Sequence, residues 1–339
     1  MAANDAIKFN NGKIVCGRWK VLSRLGAGGC GSVYKVEDMK RKGYIAALKA
    51  EAIIEDDSGV LKLEAAVLKK LADRKNVIRL LQSGKRTKYS FIVITICGSD
   101  LMSLKKKTPD GFGESTILRI GIYALYAIKQ LHEIGFVHRD VKPGNMMNGA
   151  NGRDRRIIFL IDYGTYQPPF LRLTRACGMV RNFVVRDGKG IAMRKPRKNG
   201  RVDDLWAMIY MLGELYVGLP WNRITVEKDI VKLKESETDE SVFRDCPEEF
   251  VFVAKYLRTL AYQDRPDYYK IYNWREKYSF TEKYEWEEDP PAGKTNLETA
   301  IDYSVREKST KKPLDGFEKE ALLYTNIHEN NFKEVVLAL

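Results

Sequence analysis

Between His138 and Asn145 the chain sets out a carboxylate, an ammonium and a carboxamide: Asp140, Lys142 two residues on, and Asn145 five residues beyond the aspartate. Together these are group types that phosphoryl transfer can use. Asp140 can take the proton from an attacking hydroxyl, Lys142 can neutralise charge developing on the moving group, and Asn145 can turn its carbonyl oxygen toward Mg²⁺. With about six specified residues at roughly one chance in twenty each, an accidental match in the chain is on the order of one in 10⁵. A merely polar surface loop is therefore the weaker reading.

Such a loop works only if other elements deliver it and its partners. Trp19 to Leu25 and Ser32 to Asp38 read as strands joined by Gly26-Ala27-Gly28-Gly29-Cys30-Gly31, glycines that let backbone N–H groups approach a triphosphate closely. A third strand, Tyr44 to Ala50, carries Ala47 and Lys49. From Val60 to Ala72 apolar residues recur at helical spacing and Glu64 falls on their face, where a carboxylate is costly unless paired; Lys49 is the natural partner. Val77 to Leu81 and Tyr89 to Ile96 read as two more strands. A helix from Ser115, as N-cap, to Gly135, as C-cap, feeds the His138 loop. Ile157 to Ile161, a short buried strand, leads into Asp162-Tyr163-Gly164, and Asp203-Asp204-Leu205-Trp206 opens an all-round apolar helix ending near Leu219.

In this order the segments resemble a protein kinase. The His138 loop looks like the kinase catalytic loop, Ala46-Ala47-Leu48-Lys49 resembles Val-Ala-Ile-Lys, and Asp162-Tyr163-Gly164 stands in the place of Asp-Phe-Gly. Asp203-Asp204-Leu205-Trp206, Leu219-Pro220-Trp221, Arg265-Pro266-Asp267-Tyr268 and Tyr284-Glu285-Trp286-Glu287 are similar to the casein kinase I superfamily, in particular its tau-tubulin kinase-like branch. The resemblance implies an α+β, bilobal fold: a small N-terminal antiparallel sheet with one helix, and a larger, mostly helical C-terminal lobe. It divides the chain into a tail (1–13), a kinase domain (14–288, lobes about 14–96 and 99–288) and a C-terminal extension (289–339).

The resemblance also assigns roles. ATP would be held by Leu25, Gly26, Ala27, Gly28, Gly29, Cys30, Gly31, Ser32, Val33, Ala47, Lys49 and Glu64, and by a hinge at Thr95-Ile96-Cys97-Gly98 through Ile96 and Cys97. Asn145 and Asp162 would hold Mg²⁺, and Asp140 and Lys142 would be catalytic, on serine or threonine of protein substrates. Asp204 matches the residue that hydrogen-bonds the catalytic-loop backbone, although an ordinary N-cap is the alternative. The match departs from the pattern at Tyr163, at Cys30 on the glycine-loop tip, and between Thr165 and Gly200, where Met179 occupies a position usually held by threonine and no Ala-Pro-Glu appears.

That departing segment carries Arg172, Arg175, Arg181, Arg186, Arg194, Lys195, Arg197 and Lys198, with Arg201 just after it, in a chain of net charge +13. Arginine forks suit phosphate oxygens, so an acidic or already phosphorylated substrate is expected; a solvated basic surface is the bland alternative. A pseudokinase scaffold binding a partner through this segment is a rival reading. A nucleic-acid-binding protein is a weaker one, since no RNA-binding aromatic motif or zinc module is present. Five scattered cysteines without a Cys-x-x-Cys pair, three histidines, and no apolar stretch long enough to span a membrane argue against disulfide, metal-centre and membrane classes. The expectation is a monomeric intracellular protein, cytoplasmic, with Arg194-Lys195-Pro196-Arg197-Lys198 shaped like a nuclear import signal.

Overall fold

A computed structural model of the chain describes residues 7–28, 31–53, 59–150, 152–163, 200–222, 224–261, 264–273, 284–287, 327 and 329–333. The glycine-loop tip (Gly29, Cys30), Gly164, Met179 and the basic cluster up to Lys198 lie outside the described residues.

Period-2 alternation builds the first lobe. β1 (Ile14–Val15), β2 (Trp19–Gly28), β3 (Gly31–Asp38), β4 (Ile45–Ala52), β5 (Leu80–Lys85) and β6 (Tyr89–Thr95) form one antiparallel sheet in the order β1-β2-β3-β4-β6-β5. Trp19, Val21, Tyr34, Val36, Leu48 and Val93 close a small core on one face. Val33, Lys49 and Ile92 sit directly opposite one another on β3, β4 and β6, so they share the other face, against which α1 (Val60–Lys70) packs through Leu61 and Ala65. Pairing of β2 with β3 runs further into the glycine loop than the sequence suggests, to Gly28 opposite Gly31. Gly31 is obligatory there: at φ +109 a Cβ would lie 2.1 Å from the Ala50 carbonyl oxygen.

Two segments differ from expectation. Val77 and Ile78 are buried but precede the strand, which begins at Leu80; their apolar character serves the core and not a ladder. The long helix starts one residue before Ser115, with Gly113 as its cap.

The second lobe is helical. β7 (Cys97–Asp100) leads from the hinge into α2 (Leu101–Lys107) and α3 (Glu114–Glu133), and β7 pairs with β8 (Met146–Gly149), which pairs with β9 (Ile158–Leu160). α4 (Arg201–Tyr216) crosses the interior, with α5 (Glu227–Ser236), α6 (Asp239–Val242), α7 (Glu248–Arg258) and α8 (Tyr268–Tyr272) around it. α3 and α4 are buried on nearly every side and anchor one continuous core. Tyr284 to Glu287 clasp this lobe: Tyr284 stacks on Trp286 at 4.3 Å, the Arg119 guanidinium lies 3.9 Å from the Tyr284 ring centre, and Glu287 accepts two 2.7 Å hydrogen bonds from Arg156. Among the described residues no helix is long and apolar enough to cross a membrane.

Candidate active site

The chemistry-bearing residues converge from both lobes. On β4, Ala46, Leu48 and Ala50 face the small core, so alternation turns Ala47 and Lys49 to the opposite side. Lys49 Nζ donates to Glu64 Oε2 of α1 at 2.7 Å and to Asp162 Oδ1 at 2.7 Å. Glu64 is 1% exposed; burial holds its carboxyl above the usual value, and the pairing with Lys49 offsets part of that cost. Burial opposes the charge on Lys49, but the two carboxylates override it and raise the ammonium above its ordinary range. Burial likewise works against Asp162, and Lys49 outweighs it, holding the carboxyl below its usual value.

Two residues that the sequence reading did not single out fix α1 in place. Glu51, at the end of β4, accepts a hydrogen bond from the Leu61 N–H at 3.1 Å and serves the helix start, where Gly59 offers no side chain. Arg79 reaches the other end: its guanidinium donates to the carbonyls of Leu71, Ala72 and Arg74, while its N–H donates to Thr95 Oγ1 at 2.8 Å. A cation among helix C-terminal carbonyls is favourable on both charge and hydrogen-bond grounds. Helix, hinge-side strand and Glu64 are thereby held in one frame. No local motif announces either residue, because their partners lie on other elements.

In the second lobe, Asp140 Oδ2 accepts from Lys142 Nζ at 2.7 Å and from Asn145 Nδ2 at 2.9 Å; the Asn145 amide also donates to the Asp140 carbonyl at 2.9 Å. With its nitrogen so engaged, Asn145 keeps its carbonyl oxygen as the group for a cation. The Ile161 N–H donates to the Asn145 backbone carbonyl at 2.9 Å and His138 Nε2 lies 3.0 Å from the Ile161 carbonyl, so the Asp140 loop and the approach to Asp162 are stitched together. Arg139 and Asp162 both sit at φ +68, a left-handed backbone that costs free energy in residues bearing a Cβ and persists only where the surroundings over-determine it.

Asp204 supplies that determination for Arg139. Fully buried at the start of α4, it accepts from the His138 N–H at 2.6 Å and the Arg139 N–H at 2.7 Å, and from His132 Nε2 at 2.8 Å. Burial opposes its ionisation, yet these donors, His132 first, hold its carboxyl below the usual range. The N-cap alternative does not hold: the cap is Gly200, whose N–H donates to Asp203 in the first turn at 2.6 Å. His132 Nδ1 continues to the Tyr268 hydroxyl at 2.6 Å. His132 thus bridges the Asp204 carboxylate and the Tyr268 hydroxyl through its two ring nitrogens.

Other expected site residues take definite places. Val33 and Ala47 lie on the Lys49 face; Ser32 turns its side chain to the other face, where its hydroxyl accepts from Arg24 at 3.1 Å, and so offers the cleft its backbone. Leu25 stands 52% exposed beside Gly26. Ile96 joins β6 to β7, where Cys97 packs against the main core and desolvation pushes its thiol up to about 12. At Gly98 a Cβ would come within 2.3 Å of Asn148 Oδ1, the same oxygen that accepts from the Ser99 N–H at 2.8 Å. The Tyr163 hydroxyl, the departure from phenylalanine, donates to the Leu160 carbonyl at 2.8 Å and is thereby satisfied in its buried site.

For a cation, the donor set is one carboxylate and one carboxamide oxygen at the cleft. Among the described residues no cluster of three or more histidine, cysteine or acidic side chains could cage a metal. An open two-oxygen set fits Mg²⁺, which takes its remaining ligands from phosphate oxygens and water.

Residues 19–234 match the protein kinase domain family. The chain belongs to the protein kinase family. Its curated relatives place it among the serine/threonine kinases. It is 34% identical over 328 residues to a putative serine/threonine-protein kinase of Caenorhabditis elegans, covering 89% of this chain and 90% of that one. It is 30% identical over 224 residues to a putative casein kinase I of the same organism (62% and 63% of the two chains), and 30% identical over 255 residues to an inactive tau-tubulin kinase, also from that organism (68% and 87%). Enzymes of this family use ATP and Mg²⁺ and act on proteins. The kinase's α7, α8 and Tyr284–Glu287 clasp lie beyond the matched residues yet pack into the same lobe.

Proposed function

We propose that this kinase is catalytically active and of casein kinase I type, transferring the ATP γ-phosphate to serine or threonine of acidic or already phosphorylated proteins. The observation that carries the reading is the Asp140–Lys142–Asn145 cluster, held against the Lys49–Glu64–Asp162 triad with no member missing.

In this reading the glycine loop, Val33, Ala47 and the backbone at Ile96 and Cys97 receive the nucleotide, and Leu25 offers its exposed side chain to the base. Lys49 grips the α and β phosphates, oriented by Glu64. Asn145 and Asp162 hold Mg²⁺, which when bound offsets charge on the phosphate oxygens. Asp140 orients the substrate hydroxyl and takes its proton. Lys142, already 2.7 Å from Asp140, neutralises charge on the group in transit. Serine or threonine is the acceptor that suits a lysine at this position.

The substrate class rests on the basic residues between Arg172 and Arg201 and on the casein kinase I likeness. It is tested by kcat/KM on matched peptides, phosphorylated or not near the target serine. A preference of about tenfold or more for the phosphorylated peptide is expected, and equal values would remove this part of the proposal. The relative named inactive keeps a pseudokinase reading in play. That reading requires Mg²⁺-dependent ATP binding with no transfer to any peptide.

A further inference from the structure

The C-terminal extension contributes Ile327, 1% exposed, and Phe332, 0% exposed, to the same core as α3 and α4. The Phe332 ring stacks on Tyr272 of α8 at 4.2 Å and 24°, and meets Tyr126 of α3 edge-on at 5.8 Å. Around these anchors the contacts are polar: Tyr269 donates its hydroxyl to Glu329 at 2.6 Å, and Lys333 pairs with the same carboxylate at 2.7 Å. An apolar knob in an aromatic slot with a polar rim is the form of a docked peptide.

What the segment docks on matters. α8 has five residues, too few to hold a helix by its own hydrogen bonds, so its position is set by what its side chains touch. Tyr268 and Tyr272 are four apart and share a face. Tyr272 meets Phe332; Tyr268 meets His132, which meets Asp204, which grips the N–H groups of His138 and Arg139 at the strained start of the catalytic loop. The slot and the loop are two ends of one short train of contacts.

We propose that Ile327 and residues 329–333 form a cis docking contact, with Phe332 a positioning residue, that holds α8 so that Tyr268, His132 and Asp204 keep the catalytic loop in its working shape. The segment belongs functionally to the kinase domain although it lies far beyond the family match. The inference depends on the geometry of the loop and not on the substrate class, and its first readout does not require turnover.

The test uses the full chain carrying Phe332→Ala and a synthetic peptide of residues 325–335 added in trans. Amide hydrogen exchange at His138 and Arg139 is expected to speed up by about tenfold or more in the variant, while exchange in β3 and β4 stays as in the wild type. Where transfer is measured, kcat should fall by about fivefold or more with KM for ATP within about twofold, because the loop and not the nucleotide cleft is disturbed. Saturating peptide should restore both; the same peptide with Phe332→Ala should not. Wild-type exchange at His138 and Arg139 in folded Phe332→Ala, or failure of the peptide to restore it, would overturn the proposal. Should Phe332→Ala not fold, Glu329→Gln, which keeps the apolar anchors, takes its place. A rise of about two- to threefold in exchange at the same two amides supports the proposal, and no change overturns it.

Discussion

Lys49 stands between Glu64 and Asp162, carboxyl groups contributed by two lobes, and pairs with both. Asp204 lies wholly within the second lobe and is surrounded by main-chain N–H groups and a histidine. Both clusters bury carboxylates, but they do different work. The lysine cluster spans the cleft, so its ion pairs hold only while α1 and the Asp162 segment are in register, and a bound nucleotide can share its charge. The Asp204 cluster spans no moving boundary; it converts a buried charge into fixed backbone geometry at Arg139. One cluster assembles the site, and the other keeps its floor rigid.

The contrast can be broken where the effect is largest. Asp204→Ala leaves two buried N–H groups and His132 without their acceptor, and should cost about 3–5 kcal/mol of stability, read as a lowered midpoint in denaturant. The pH dependence has a definite sign. Because the folded carboxyl titrates below its unfolded value near 3.9, its contribution is present above about pH 4 and is lost as pH falls further; Asp204→Asn should therefore show a shallower acid limb than the wild type.

Glu64→Gln should separate the two clusters. Lys49 keeps Asp162 as a partner, so stability should move by less than about 2 kcal/mol, while kcat/KM for ATP drops by about tenfold or more. A loss of stability as large as that of Asp204→Ala would erase the distinction. Arg79→Lys keeps the charge but cannot reach three carbonyls at once. It should cost about 1–2 kcal/mol and weaken ATP use in the manner of Glu64→Gln, since the end of α1 is freed. Tyr163→Phe is the smallest step: it removes a hydroxyl bonded to the Leu160 carbonyl and should change stability by about 1 kcal/mol with activity nearly intact.

Much of this was legible in the chain because the signals are local. The catalytic loop, the glycine loop and the Lys49 strand are short motifs, and Glu64 betrays itself as a charge on an apolar stripe. The unreadable part is non-local. Glu51 and Arg79 act on helix ends contributed by other segments, and Tyr268 reaches His132 across 136 residues of sequence. Ser115 has the composition of a cap, yet the helix starts earlier, where the Gly113 N–H bonds to Glu285 Oε1. Val77 and Ile78 have the apolar character of a strand, but Arg79 must turn back to α1 before the ladder begins at Leu80. Phe332 gives no pattern at all; its meaning is the slot it fills.

The central claim is that Asp140, held by Lys142 and Asn145 on a floor fixed by Asp204, moves the substrate proton during phosphoryl transfer. It is tested most directly by transfer of labelled γ-phosphate to acidic and phosphorylated peptides, comparing the wild-type kinase with Asp140→Asn. The wild type should transfer label in a Mg²⁺-dependent reaction, and the variant should lose about 10²- to 10⁴-fold in kcat while ATP affinity and melting midpoint are retained. Equal turnover in the two proteins, or no transfer by the wild type to any peptide, would contradict it.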